Sequence, residues 1–196
     1  MNTLAHSLLP LSPVIPIAIY AVIALLVVIE TGLIFGFFFP GDLLLLAAGV
    51  LAGSYRDVSL ISILLVAAVA SFTGSLAGFF IGGKFGKILI RNDNPPSVEN
   101  SITRSKEYLA TGGWVTVLFA NFLPGLRSFV PVVAGQIAMG KVKYLIANVI
   151  GSIAWVSAFT VLGYKITDFY EVRESPFVVV AALFLISSGA SIVNYM

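Results

Sequence analysis

Apolar residues run in long, nearly unbroken stretches along this chain, divided by short polar ones, which is the pattern of helices that cross a bilayer. Residues 14 to 36 are apolar apart from Glu30, long enough to cross about 30 Å of hydrocarbon. Residues 37 to 53 are equally apolar but contain Pro40 and Gly41. Proline removes a backbone donor and disfavours helix at the residue before it. Broken backbone at membrane depth survives only when buried in protein or lining a cavity, so 37 to 53 is predicted as a re-entrant hairpin. After a polar turn at Ser54 to Asp57, residues 58 to 83 form a second predicted span. Residues 84 to 107 read as one long polar loop, with Asn94-Pro95-Pro96-Ser97 at its middle. A second hairpin is predicted over 109 to 140, broken at Pro124-Gly125. A third span follows over 143 to 164, then a charged loop over 165 to 175 and a last span over 176 to 195.

The two broken segments repeat each other. Phe39-Pro40-Gly41-Asp42 leads to Ala48-Gly49, and Leu123-Pro124-Gly125-Leu126-Arg127 leads to Ala134-Gly135. The offset is 84 residues at the prolines and 86 at the Ala-Gly pairs. Matching interruptions in two halves of a membrane protein are a sequence pointer to a transport site between inverted repeats. The predicted fold is therefore an all-α membrane protein, a helical bundle with two opposed re-entrant hairpins. It forms a single transmembrane domain over 1–196, with one repeat at about 30–86 and the other at about 109–166.

Composition agrees: 59% of residues are hydrophobic, 10% are charged, and mean hydropathy is +1.03. Soluble domains carry roughly 25% charged residues. A net charge of +2, scattered along the chain, gives no nucleic-acid footprint. Without cysteine there is no disulfide, thiolate metal site or lipidated cysteine. The N-terminus lacks a basic signal-peptide n-region, so the first apolar segment is expected to be retained. If both hairpins return to the side they entered, Lys84, Lys87, Arg91, Arg104, Lys106, Lys141 and Lys143 share one side. Arg56, Lys165 and Arg173 share the other. The excess places the 84–107 loop in the cytoplasm. Tyr55, Tyr108, Trp114, Tyr144, Tyr164 and Tyr170 fall near element ends, as an aromatic belt would.

Glu30, Asp42 and Arg127 are the ionisable side chains inside apolar segments. Each costs about 2.5 to 3.5 kcal/mol at mid-membrane on insertion scales, so they must be paired, hydrated or both. A continuous helix would set Glu30 and Asp42 about 18 Å apart, and the break at Pro40-Gly41 can shorten that distance. Opposed hairpins can bring Asp42 to Arg127. Either these residues form a structural salt bridge between hairpin tips, or they line a hydrated cavity. In the second case the arginine takes an anionic head group, for which its planar fork is suited, and the carboxylates respond to protons. Ser128 is placed to cap a half-helix beside the arginine. Asn121, Ser128, Gln136 and Asn148 are candidate cavity-lining residues, Gln136 and Asn148 with helix–helix hydrogen bonding as the alternative. Gly74, Gly78, Gly82 and Gly86 form a stripe for close helix packing, within one chain or between two copies. His6 reads as a surface residue, and neither a cofactor nor a metal is expected.

At these residues the chain resembles the DedA family of bacterial membrane proteins, also called the VTT or SNARE-associated domain family. The resemblance covers roughly residues 15 to 165. It is carried by Glu30, Phe39-Pro40-Gly41-Asp42, the run from Phe122 to Ser128, Pro131 to Gly135, Asn148 to Gly151, and Trp155. It implies a bacterial plasma-membrane protein that translocates lipid, either undecaprenyl phosphate or a phospholipid such as phosphatidylethanolamine. It further implies essential roles for Glu30, Asp42 and Arg127 and dependence on the proton-motive force. The family usually has a second arginine six residues before Arg127, where this chain has Asn121. That departure favours a zwitterionic phospholipid over a strongly anionic one.

Other function classes fit less well. The single histidine lies outside the spans, which leaves no His-based intramembrane hydrolase. A proton or small-ion antiporter would use the same three charges, and a structural assembly factor would need none of them.

Overall fold

The computed structural model describes residues 14–32, 41–89, 95–123 and 126–167. Within them the chain is helical, in the order α1 (Val14–Gly32), α2 (Gly41–Ser54), α3 (Leu60–Leu89), α4 (Pro96–Gly112), α5 (Trp114–Ala120), α6 (Phe129–Gln136) and α7 (Lys141–Ile166). Among the described residues, three stretches are long and apolar enough to cross a membrane: α1, Leu60–Gly86 of α3, and α7. They match the first three predicted spans, although α3 runs six residues further than predicted. His6, Phe39, Pro40, Pro124, Gly125, Tyr170 and the 176–195 span lie outside the described residues.

The predicted polar loop 84–107 is largely helix. α3 extends to Leu89, and α4 begins at Pro96. Pro96 stands in the first turn, where its missing N–H is no loss, and Glu99 follows in the same turn, where the helix dipole favours an acid. Ile102, Ser105 and Leu109 are buried at helical spacing, while Arg104, Lys106 and Glu107 stay exposed. A polar helix with one narrow apolar face escapes a reading tuned to membrane spans.

The chain divides into two compact units. One is drawn from α2, the N-terminal parts of α1 and α3, and the C-terminal part of α7. Here α2 lies backbone to backbone on α7: a Cβ on Gly49 would overlap the Thr160 carbonyl, and one on Gly163 would overlap that of Leu46. The Ser59 N–H donates to Tyr20 Oη at 2.8 Å, tying the start of α3 to α1.

The second unit holds α1 from Leu25, α3 from Ala68, α4 to α6, and α7 as far as Trp155. Its core gathers Phe79, Ile102, Leu109, Phe129, Val133 and Tyr144. α6 is buried from Phe129 to Gly135, as a short helix apolar all round must be. It packs against α4, α5 and α3. The glycine stripe of α3 is used inside the chain: Gly74 meets α1 at Val28 and Thr31, Gly78 meets Pro131, Gly82 meets Val132, and Gly86 meets Gln136. Tyr144, expected at a membrane interface, is instead buried, stacked on Phe79 with ring centroids 4.1 Å apart and donating to the Ser75 carbonyl at 2.8 Å.

Candidate functional site

Glu30 stands in the last turn of α1, and its side chain is 1% exposed. Arg127 lies in the turn before α6 and is 5% exposed. Their side chains form an ion pair, Arg127 Nη2 to Glu30 Oε1. Two charges this deeply enclosed are retained only together, because either one left alone would keep its full desolvation cost. Beyond the carboxylate, the guanidinium lies over the indole of Trp155, 5.3 Å from the ring centroid. Trp155 is wholly buried on α7.

The next residue strengthens the junction in an unforeseen way. Ser128 occupies the N-cap position of α6, but in helical backbone geometry (φ −83°, ψ −27°) and with no side-chain capping bond. Its hydroxyl donates instead to the Glu30 carbonyl oxygen at 2.6 Å. The last carbonyls of a helix have no intrahelical partner, so that oxygen is a ready acceptor. Arg127 and Ser128 therefore hold the carboxylate and the carbonyl of one residue.

Before the segment at 124–125, Asn121 is also buried and donates from Nδ2 to Ser152 Oγ at 3.5 Å. Ser152 Oγ accepts from Ser71 Oγ at 3.1 Å and donates to Asn148 Oδ1 at 3.3 Å. Asn148 Nδ2 donates to the Phe72 carbonyl at 3.1 Å. This network joins α3, α7 and the end of α5. Asn148 thus makes the helix–helix bond foreseen as its alternative. Gln136 is half-buried, with its Cβ and Cγ beside Gly86. In the first unit, Gly41 opens α2 and is buried, and Asp42 follows in the first turn, half-buried.

Of the three charges singled out in the sequence, the structure brings Glu30 and Arg127 together. Sequence reasoning missed the hydroxyls of Ser71 and Ser152, and gave Ser128 a capping bond where it donates to the Glu30 carbonyl. The available signal was the four-residue spacing of Asn148 and Ser152 on an apolar span. Trp155 was legible only through family resemblance. Among the described residues, no cluster of three or more His, Cys, Asp or Glu is placed to hold a metal ion.

Comparison with known proteins adds three relatives. The VTT domain matches residues 39–165. Protein DedA of Escherichia coli (strain K12) is 30% identical over 171 residues, covering 86% of this chain and 78% of its own. An uncharacterized membrane protein of Mycobacterium leprae is 32% identical over 152 residues, covering 76% of this chain and 67% of its own. An alkaline phosphatase-like protein of Lactococcus lactis is 26% identical over 145 residues, covering 67% and 64%. No solved structure matches the chain.

Proposed function

We propose, on the premise that this chain belongs to the DedA family of VTT-domain membrane proteins, that it moves lipid between the leaflets of the bacterial plasma membrane. The observation that carries the reading is the Glu30–Arg127 pair, buried where apolar segments meet. A brace alone is served as well by packed apolar side chains of similar volume, so charges kept at such cost point to a ligand that uses them.

The pair has no net charge. A phosphatidylethanolamine head group, itself neutral, can enter by exchanging one ion pair for two. Its phosphate takes the guanidinium edge, which is shaped for two parallel N–H donors, and its ammonium takes the Glu30 carboxylate. Undecaprenyl phosphate, the other cargo implied by the family, lacks the ammonium and brings net negative charge into low dielectric. The pair therefore favours the zwitterion. A proton delivered to Glu30 would weaken its hold on Arg127, and Asp42 supplies a second carboxylate for such coupling.

The packing within each unit supports an inverted repeat. Ala48-Gly49 of α2 rests on the second half of α7, and Ala134-Gly135 of α6 rests on the second half of α3. In this layout each repeat lends its short helix to the long helix of the other. Opposed re-entrant hairpins would place the head-group site at mid-membrane.

The test is leaflet exchange in reconstituted vesicles, using acyl-labelled phosphatidylethanolamine and undecaprenyl phosphate, with and without a pH gradient. We expect the wild type to exchange the zwitterion faster, Arg127→Ala and Asp42→Asn to be inactive though folded, and the gradient to change the rate. Wild-type exchange by Arg127→Ala would refute the reading. A proton or ion flux that persists without any mobile lipid would replace it with antiport.

A further inference from the structure

We propose that Trp155 is a positioning residue: it holds the Arg127 guanidinium in the site while that group is between its carboxylate partner and a head group. For its part in transport, this inference rests on the translocase reading above. A guanidinium bonds through its edge and stacks through its face. Nη2 of Arg127 meets Glu30 while the guanidinium carbon stands over the Trp155 ring, 5.3 Å from its centroid, so the cation makes both contacts at once. The two contacts do not compete, so a phosphate can replace Glu30 at the edge while the ring stays in place.

The seat is tethered to α3. Tyr144, Asn148 and Ser152 lie one turn apart on α7 and bond to Ser75, Phe72 and Ser71 of α3. Trp155 follows on the next turn of this tethered helix and is fully buried. Arg127 sits in the turn before α6, where it contacts Glu30 and Trp155 and its neighbour Ser128 bonds to the Glu30 carbonyl. When Glu30 is neutralised or occupied by an ammonium, the guanidinium charge is left uncompensated in low dielectric. Attraction to the electron-rich face of tryptophan is strongest for a desolvated, uncompensated cation. The contact therefore matters most in the open-pair state that substrate entry must cross, and less in the paired states on either side.

The test changes the ring's electron density at nearly constant size. The chain has two tryptophans, and Trp114 is exposed, so a Trp114→Phe background leaves Trp155 alone for biosynthetic replacement by mono-, di- and trifluorinated tryptophan. In vesicles we expect the maximal exchange rate of acyl-labelled phosphatidylethanolamine to fall stepwise, by about tenfold across the series, with little change in half-saturating lipid content. A second readout needs no transport. The thermal midpoint of detergent-solubilised Glu30→Gln protein should drop progressively with fluorination, and that of the Glu30 protein should drop much less. Flat midpoints in both backgrounds, or an exchange rate indifferent to fluorine, would overturn the proposal and leave Trp155 a packing residue. If Glu30→Gln does not fold, the exchange series decides. If the wild type exchanges no lipid while the midpoints follow fluorination, the translocase reading fails and the positioning role stands.

Discussion

Glu30 and Arg127 illustrate how two costly side chains become affordable only as a pair. Removing one partner of a buried ion pair costs about 3 to 5 kcal/mol, because the other charge is left enclosed. We therefore expect Glu30→Gln and Arg127→Gln to be strongly destabilised singly. The double variant should recover most of their summed cost, because no charge is then left enclosed, as measured by thermal unfolding in detergent. Ser128→Ala removes a bond to a buried carbonyl and should cost about 1 to 2 kcal/mol. Ala138 gives an opposite sign. It has φ +53° in the turn after α6, where the Met139 N–H reaches the Ala134 carbonyl and the Ala138 N–H reaches that of Gly135. This is a helix-ending turn that prefers glycine, so Ala138→Gly should raise stability by about 1 kcal/mol. The charges were legible in the sequence because ionisable groups stand out in apolar runs. Which acid meets Arg127 was not, since both Glu30 and Asp42 satisfied the same electrostatic demand.

At the scale of elements, glycines decide how closely helices approach. Gly82 and Gly135 lie in the α3–α6 contact with backbone atoms where a Cβ would go, whereas Gly140 has open space. Gly135→Val should prevent α6 from docking and abolish folded protein, and Gly140→Ala should be nearly silent; yield and monodispersity by size-exclusion chromatography separate these outcomes. The spacing of the α3 stripe was plain in the sequence, but whether its partner was this chain or a second copy was not, because a small-residue stripe describes only one side of a contact. α4 was missed for a different reason. Its helix is carried by three inward positions and a proline start, signals that polar composition hides from a search for spans.

For the whole molecule, the account requires opposite sidedness for the two sets of basic residues. The chain has no cysteine, so single cysteines report without background. Arg56→Cys and Lys106→Cys are both at exposed positions. In intact cells an impermeant maleimide should label the first and not the second; labelling of both would break the proposed two-hairpin layout. The membrane-protein class was fixed by hydropathy, since twenty apolar residues in a row have few other uses. The division into two units was not, because α1, α3 and α7 each run through both and nothing in an apolar helix marks where its neighbours change.

On the translocase reading, the Glu30–Arg127 pair receives the head group and is more than a brace. The most direct measurement is phosphatidylethanolamine exchange by the Glu30→Gln/Arg127→Gln double variant, in which two neutral amides can hydrogen-bond in place of the ions. We expect a folded protein with a thermal midpoint near that of the wild type and no exchange above protein-free vesicles. Exchange at the wild-type rate would contradict it.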